Sequence, residues 1–226
     1  MDNRVLQPVD DTTIRHRIAQ QLTKHIVAGN FQPGQRLTEL ELASSLKVSR
    51  GPLREAIREL AETGLLVSVP YKGLYVRSVT RRDLEELYSL RTTLERFAFE
   101  RCWSRRSADS LANLAQRNAD LVRVIDAGND GLQAIALELQ LHAWCYELSD
   151  HRLLQRSWES MRPNLNLYFS LHQRAHGRCG PLRESHDRYV ELAHGDSLDD
   201  MLEHLTEHMR QGLATTLTTL GSNLSS

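Results

Sequence analysis

The sequence predicts a mainly α-helical chain in two units: three helices with a small β-hairpin in front, and an all-helical bundle of about six helices behind. Three observations lead there. Apolar residues recur at helical spacing along most of the chain, strand-like runs are confined to residues 65–76, and the charge balance changes sign just beyond them. Residues 1–78 carry 11 Lys and Arg against 8 Asp and Glu, whereas residues 79–226 carry 17 against 21. The expected units are therefore residues 1–78 and 79–226, a basic module that suits phosphate beside an acidic one that does not.

In the front unit, Ile14, Ile18, Leu22 and Ile26 fall four apart and give a first helix over 11–28 one inward stripe, which Gly29 ends. Phe31-Gln32-Pro33-Gly34 is a turn signal, and Leu37 leads into a second helix over Glu39 to Leu46. Ser49 stands where it can cap a third helix, Pro52 is tolerated in that helix's first turn, and Gly64 stops it. Leu65 to Val69 and Leu74 to Val76 then read as a hairpin around Pro70-Tyr71-Lys72-Gly73. Three helices followed by a hairpin is the order of a winged helix-turn-helix.

Beyond Thr80 the strand signals stop, and helices are expected at about 81–104, 107–127, 131–148, 151–174, 180–194 and 197–220. Turn residues separate them at 128–131, 149–150, 177–181 and 195–196. No run has the length of a transmembrane helix and the first thirty residues lack signal-peptide order, so a cytoplasmic protein without a membrane partner is expected. Cys102, Cys145 and Cys179 form an odd set without CxxC spacing, which argues against a disulfide framework or zinc finger and for reduced structural thiols.

The third helix carries the first functional signal. Leu53, Ala56, Ile57 and Leu60 share one face, Arg50, Arg54 and Arg58 line a neighbouring one, and Glu55, Glu59 and Glu62 gather on the remaining side. Such a helix fits a major groove, where arginine bonds phosphates or forks onto guanine. A solvated surface helix is the competing reading. Glu55 and Glu62 are at pairing distance from Arg58, whereas Arg50 and Arg54 have no such partner on the helix.

Pro33-Gly34, Leu37, Glu41-Leu42-Ala43, Val48-Ser49-Arg50, Pro52 to Ala56, Leu60, Gly64-Leu65 and Gly73 to Val76 resemble, in order and spacing, the winged helix-turn-helix of the GntR family of transcription regulators. That resemblance covers about the first third of the chain. It implies that Arg50 and Arg54 contact operator DNA and that Gly73 enters the adjacent minor groove. The expected DNA-binding set is Ser49, Arg50, Gly51, Arg54 and Arg58 with Lys72 and Gly73 at the hairpin tip. Two positions depart from the family: Leu40 stands where arginine is frequent, and Gly51 where a hydroxyl residue is.

The second signal lies in the bundle. Glu138 and His142 sit four apart on a helix face with Ala134, Ile135, Leu141 and Cys145, while Gln133, Gln140 and Glu147 mark the opposite side. Burying an unpaired carboxylate is costly, and a shared cation compensates both groups. His186 and His208 lean towards the apolar faces of the last two helices. Three histidines and a carboxylate suit a divalent transition metal, zinc first, with nickel, cobalt, copper or iron also accommodated.

Taken singly, each histidine is more often a core or surface residue than a ligand. Residues 79–226 are similar to the FadR-type effector domain of GntR regulators, the FCD domain, whose metal-binding members use an acid four residues before a histidine and two later histidines. That resemblance implies Glu138, His142, His186 and His208 as ligands, with His204 the rival for the last place. Glu138 is one methylene longer than the family's usual aspartate, and His151 stands where asparagine is favoured. His172, His176 and His194 read as solvated loop residues.

The resemblance also implies a small organic acid as effector, with Arg91 and Arg162 offering bidentate bonds to its carboxylate. Helix pairs Arg91 to Glu95 and Arg162 to Glu159 are their structural alternatives. The reading is a homodimeric, ligand-responsive regulator, repressor or activator, of operator DNA. A metal-dependent hydrolase or lyase with an appended DNA-binding unit is the alternative, disfavoured because no general base stands beside the ligands.

Overall fold

A computed structural model of the chain describes residues 14–220, apart from the side chains at positions 175, 176, 219 and 220. It divides into two compact units between Arg77 and Ser78.

In the first unit, α1 (Ile14–Val27) and α2 (Glu39–Leu46) flank α3 (Arg50–Glu62). Ile18, Leu22 and Ile26 of α1 and Leu53, Ala56, Ile57 and Leu60 of α3 are buried, so the two apolar stripes form the core between these helices. Ile14, expected in that stripe, is 53% exposed among the described residues, where it opens the first turn. Residues 11–13 of the expected helix lie outside the described residues. Thr38 caps α2, its side chain accepting from the Glu41 amide.

Strands β2 (Leu66–Val69) and β3 (Gly73–Val76) pair antiparallel as the hairpin, with Val67 opposite Tyr75. A third strand, β1 (Arg36–Leu37), adds to the other edge of β3, so the sheet order is β1-β3-β2. Two residues are too few to show an alternation in sequence, which is why β1 reads there only as the approach to α2.

In the second unit, α4 (Arg81–Cys102), α5 (Ala108–Ala127), α6 (Gly131–Leu148), α7 (Arg152–His176), α8 (Arg183–His194) and α9 (Leu198–Leu220) form the bundle. The caps follow from sequence: Thr80 with Asp83 and Ser107 with Ser110 make reciprocal capping boxes, and Asp130 accepts from the Gln133 amide. His151 does the work of an asparagine at its position, its Nδ1 accepting from the Leu154 amide at the start of α7. Helix α6 packs against α4, α5 and α7, and an unbroken run from Leu141 to Tyr146 is buried.

The link from α7 to α8 is pinned from inside. With its amide oriented to satisfy both partners, Gln173 donates to the Gly131 carbonyl at 3.1 Å and accepts from the Gly180 amide at 3.0 Å. Gly180 has φ +81°, and a Cβ there would lie 2.8 Å from Ile125 Cγ1 and 3.2 Å from Ala134 Cβ. Gly180→Ala should therefore destabilise the helical unit by about 1–3 kcal/mol. Chemical denaturation checks this, and an unchanged midpoint would contradict the packing described.

Candidate metal centre and nucleic-acid interface

Four helices converge on one buried polar cluster. His142 on α6, His186 on α8 and His208 on α9 each bring one ligand atom, all within 4.8 Å of one another. The ring centroids lie 5.3 Å apart for His142 and His186, 5.4 Å for His142 and His208, and 5.0 Å for His186 and His208.

Their hydrogen bonds fix which nitrogens face inward. His142 Nδ1 lies 2.6 Å from Glu95 Oε1, and His186 Nδ1 lies 3.2 Å from the Leu182 carbonyl. Both partners are acceptors, so both Nδ1 atoms carry the proton. The two Nε2 lone pairs then face each other at 3.3 Å. Glu138 Oε1 adds a further acceptor 3.7 Å from His186 Nε2.

Acceptors so arranged in an apolar interior repel unless a cation stands among them. Metal–nitrogen bonds of about 2.0–2.1 Å at a tetrahedral angle put nitrogens about 3.3 Å apart, so the pair has the spacing of zinc ligands. Burial drives all three rings toward the neutral form that binds metal: His186 is lowered to about 4, and His142 and His208 are held well below the ordinary histidine value. Burial also pushes the Glu138 carboxyl up to about 7, against the pull of Arg91 and with the push of Glu95.

The other expected site residues separate clearly. His204 stacks on His208 at 5.8 Å but is not part of the compact group. Arg91 is buried, pairs with Glu95 Oε2 through Nε at 3.2 Å, and still lines the cavity beside the histidines. Its Nη2 is buried without a hydrogen-bond partner. Arg162, expected to serve the effector, instead bonds Glu159 at 2.9 and 3.1 Å and does not line the cavity. A glutamate three residues earlier on the same helix captures it, the alternative weighed from sequence.

The cavity has a volume of about 100 Å³ and is bounded by Tyr88 and Arg91 of α4, Glu138 of α6, Phe169, His172 and Gln173 of α7, the Arg178 to Leu182 link, and α9. Sequence reading misses Gln173 and the α7–α8 link, and it places His172 in solvent although that ring lines the cavity. His194 is exposed as expected, bonding the Val190 carbonyl at 2.8 Å, and the His176 side chain lies outside the described residues. Glu95 is also missed as a partner of His142, because the two are 47 positions apart in sequence.

In the first unit, Arg50, Arg54 and Arg58 are all exposed on α3. Arg58 pairs with Glu55 at 3.4 Å, as helical spacing allows. Arg54 does have a partner: its Nε lies 2.8 Å from Glu39 Oε2 across the helix-turn-helix, yet the side chain remains 61% exposed. Within-helix spacing does not reach a residue 15 positions away. Ser49 occupies the N-cap position of α3 but its side chain makes no capping bond, contrary to expectation, so the first-turn amides lack that partner.

Gly51 faces open space, with nothing within 4 Å of an added Cβ, and Leu40 is 66% exposed. At the wing, Tyr71 and Lys72 are exposed and the Tyr75 hydroxyl donates to the Lys72 carbonyl at 3.1 Å. Gly73 has φ +116°, and a Cβ there would meet Arg36 Nε at 3.2 Å. Arg36 therefore adds a guanidinium beside the wing that no motif announces.

Residues 14–76 match the family described as bacterial regulatory proteins, gntR family, and residues 86–211 match the FCD domain. The chain is similar to YdhC, an uncharacterized HTH-type transcriptional regulator of Bacillus subtilis strain 168, at 29% identity over 188 residues covering 83% of this chain and 84% of that protein. The gluconate operon transcriptional repressor of Bacillus licheniformis is 24% identical over 197 residues, covering 85% and 80%. Both relatives are named as regulators of transcription. Among solved structures, Escherichia coli McbR/YncC shares the fold with a TM-score of 0.76 at 21% identity, covering 92% of this chain and 98% of that one.

Replacing His186 with Gln removes one of three coupled buried rings. The unfolded ring takes up a proton near 6.5 and the folded one only near 4, so wild-type stability is lost as pH falls through that window. In metal-free buffer, His186→Gln should gain on wild type by about 1.4 kcal/mol per pH unit between pH 6 and 5. Denaturant midpoints at those pH values measure it, and a constant difference would mean that the ring protonates freely in the folded protein.

Proposed function

Because the chain belongs to the GntR family of bacterial regulatory proteins and carries an FCD domain, it is a DNA-binding transcription regulator, and we propose that a small organic acid bound at a metal centre in its helical unit controls operator binding. One observation carries the proposal: buried Arg91, whose Nη2 has no hydrogen-bond partner, lines the same cavity as Glu138, His186 and His208. A carboxylate entering there would meet a guanidinium donor beside the residues that would hold a metal, which supplies a Lewis acid for an anion when bound. His142, His186 and His208 hold the ion, with Glu138 beside them and zinc the metal the nitrogen-rich set suits first.

The cavity's size supports a small effector. About 100 Å³ accommodates a molecule of a few carbons, and the mix of Tyr88, Gln173, Ser185 and Thr216 with Phe169, Leu182 and Met209 suits a hydroxylated acid. The relative from Bacillus licheniformis is named for repression of a gluconate operon, which is consistent with a hydroxy acid and with repression as the mode of action.

On DNA, α3 enters the major groove with Arg50, Arg54 and Arg58 forward, and Lys72 and Gly73 follow the adjacent groove at the wing. The exposed N-terminus of α3 at Ser49 and Gly51 offers amide donors to a phosphate. Two copies of the chain read a palindrome, and effector binding alters the spacing of the paired helices. Such a switch requires the acid to bind the two spacings with different affinity.

Two substitutions test the halves separately. Arg54→Ala should weaken specific operator binding by about 1–3 kcal/mol in a titration while leaving metal content unchanged. His142→Ala should lower the metal content seen by elemental analysis and remove the thermal shift produced by hydroxy acids, with operator binding retained. If the acids still shift the melting temperature of His142→Ala, the ion is structural and the effector does not depend on it.

A further inference from the structure

We infer that Glu95 is the positioning residue that ties the metal centre to the anion site, one carboxylate oxygen serving each. The inference rests on the metal and effector reading above. Oε1 accepts from His142 Nδ1 at 2.6 Å and from the Tyr189 hydroxyl at 3.3 Å, and Oε2 accepts from Arg91 Nε at 3.2 Å. Glu95 is fully buried and does not line the cavity, so it acts on metal and ligand only through the residues it holds.

Each hold has a definite consequence. With the His142 Nδ1 proton committed to Oε1, the lone pair is left on Nε2, the atom that faces His186 Nε2 at 3.3 Å. Carboxylates that bond the far nitrogen of a metal-binding histidine fix its tautomer and raise its basicity, and their loss typically costs about 10–100-fold in metal affinity. On the other side, Arg91 is anchored by Nε and its guanidinium carbon lies 5.9 Å from the Trp158 ring and 5.7 Å from that of Phe169. That anchoring leaves Nη2 as its unpartnered donor. Metal ligand and anion ligand are thus oriented by the same buried group, on α4, which bonds α6 through His142 and α8 through Tyr189.

The test uses the full chain and Co²⁺ alone as probe, its affinity read by competition with a chelating dye and its environment by visible absorption. Glu95→Gln keeps the volume but turns one acceptor into a donor. Co²⁺ affinity should fall about 10–100-fold with a shifted absorption band, and Glu95→Gln combined with His142→Ala should bind no more weakly than His142→Ala alone. Equal Co²⁺ affinity in wild type and a folded Glu95→Gln, or additive losses in the double variant, overturns the role given to Glu95. A wild type that binds no Co²⁺ overturns the metal reading itself. Nitrogen NMR of metal-free wild type needs no variant: a His142 ring protonated at Nδ1 supports the inference, and one protonated at Nε2 defeats it.

Discussion

Two imidazole lone pairs held face to face inside an apolar bundle are the constraint around which the helical unit is organised. Neither ring can turn away, because Glu95 and the Leu182 carbonyl hold the opposite nitrogens. Burial removes the water that would otherwise solvate them, and it also disfavours the protonation that would give one ring a donor. The helices α4, α6, α8 and α9 each contribute a residue to this cluster, so the polar centre and the hydrophobic core specify the same packing. A buried polar cluster with so few ways to be satisfied is more selective for one arrangement of helices than apolar contacts alone.

The first unit solves a different problem. Its third helix must be firmly held and yet present three guanidinium groups to solvent. Leu53 and Ala56 are completely buried against α1, which fixes the rotation of the helix about its axis. The arginines are exposed as a consequence of that rotation, and Glu55, Glu59 and Glu62 are kept to the remaining side.

Much of this was legible in the sequence. Helix existence and order follow from apolar spacing, and the boundaries from Gly29, Gly64 and the turn residues at 128–131, 149–150, 177–181 and 195–196. The histidine group was also accessible, since Glu138 and His142 stand on a buried face of one helix. What escaped was every contact between residues distant along the chain: Glu39 with Arg54, Glu95 with His142, and Gln173 with Gly131 and Gly180. Periodicity reports which face of a helix is buried but not which neighbour it meets. The lone β1 strand and the unused cap at Ser49 show the same limit at short range, where two residues or one hydroxyl carry no pattern.

The ion pair between Glu39 and Arg54 has a consequence for selectivity on a genome. On the proposed reading of Arg54 as a groove-facing guanidinium, Glu39 is a tethered competitor that duplex would have to displace before the guanidinium could fork onto a base. Random DNA offers a lone phosphate oxygen in exchange, whereas a guanine edge returns two aligned acceptors. On that reading the exchange would be least favourable where most of the chromosome lies, and the carboxylate would sharpen discrimination by weakening the background rather than by strengthening the target.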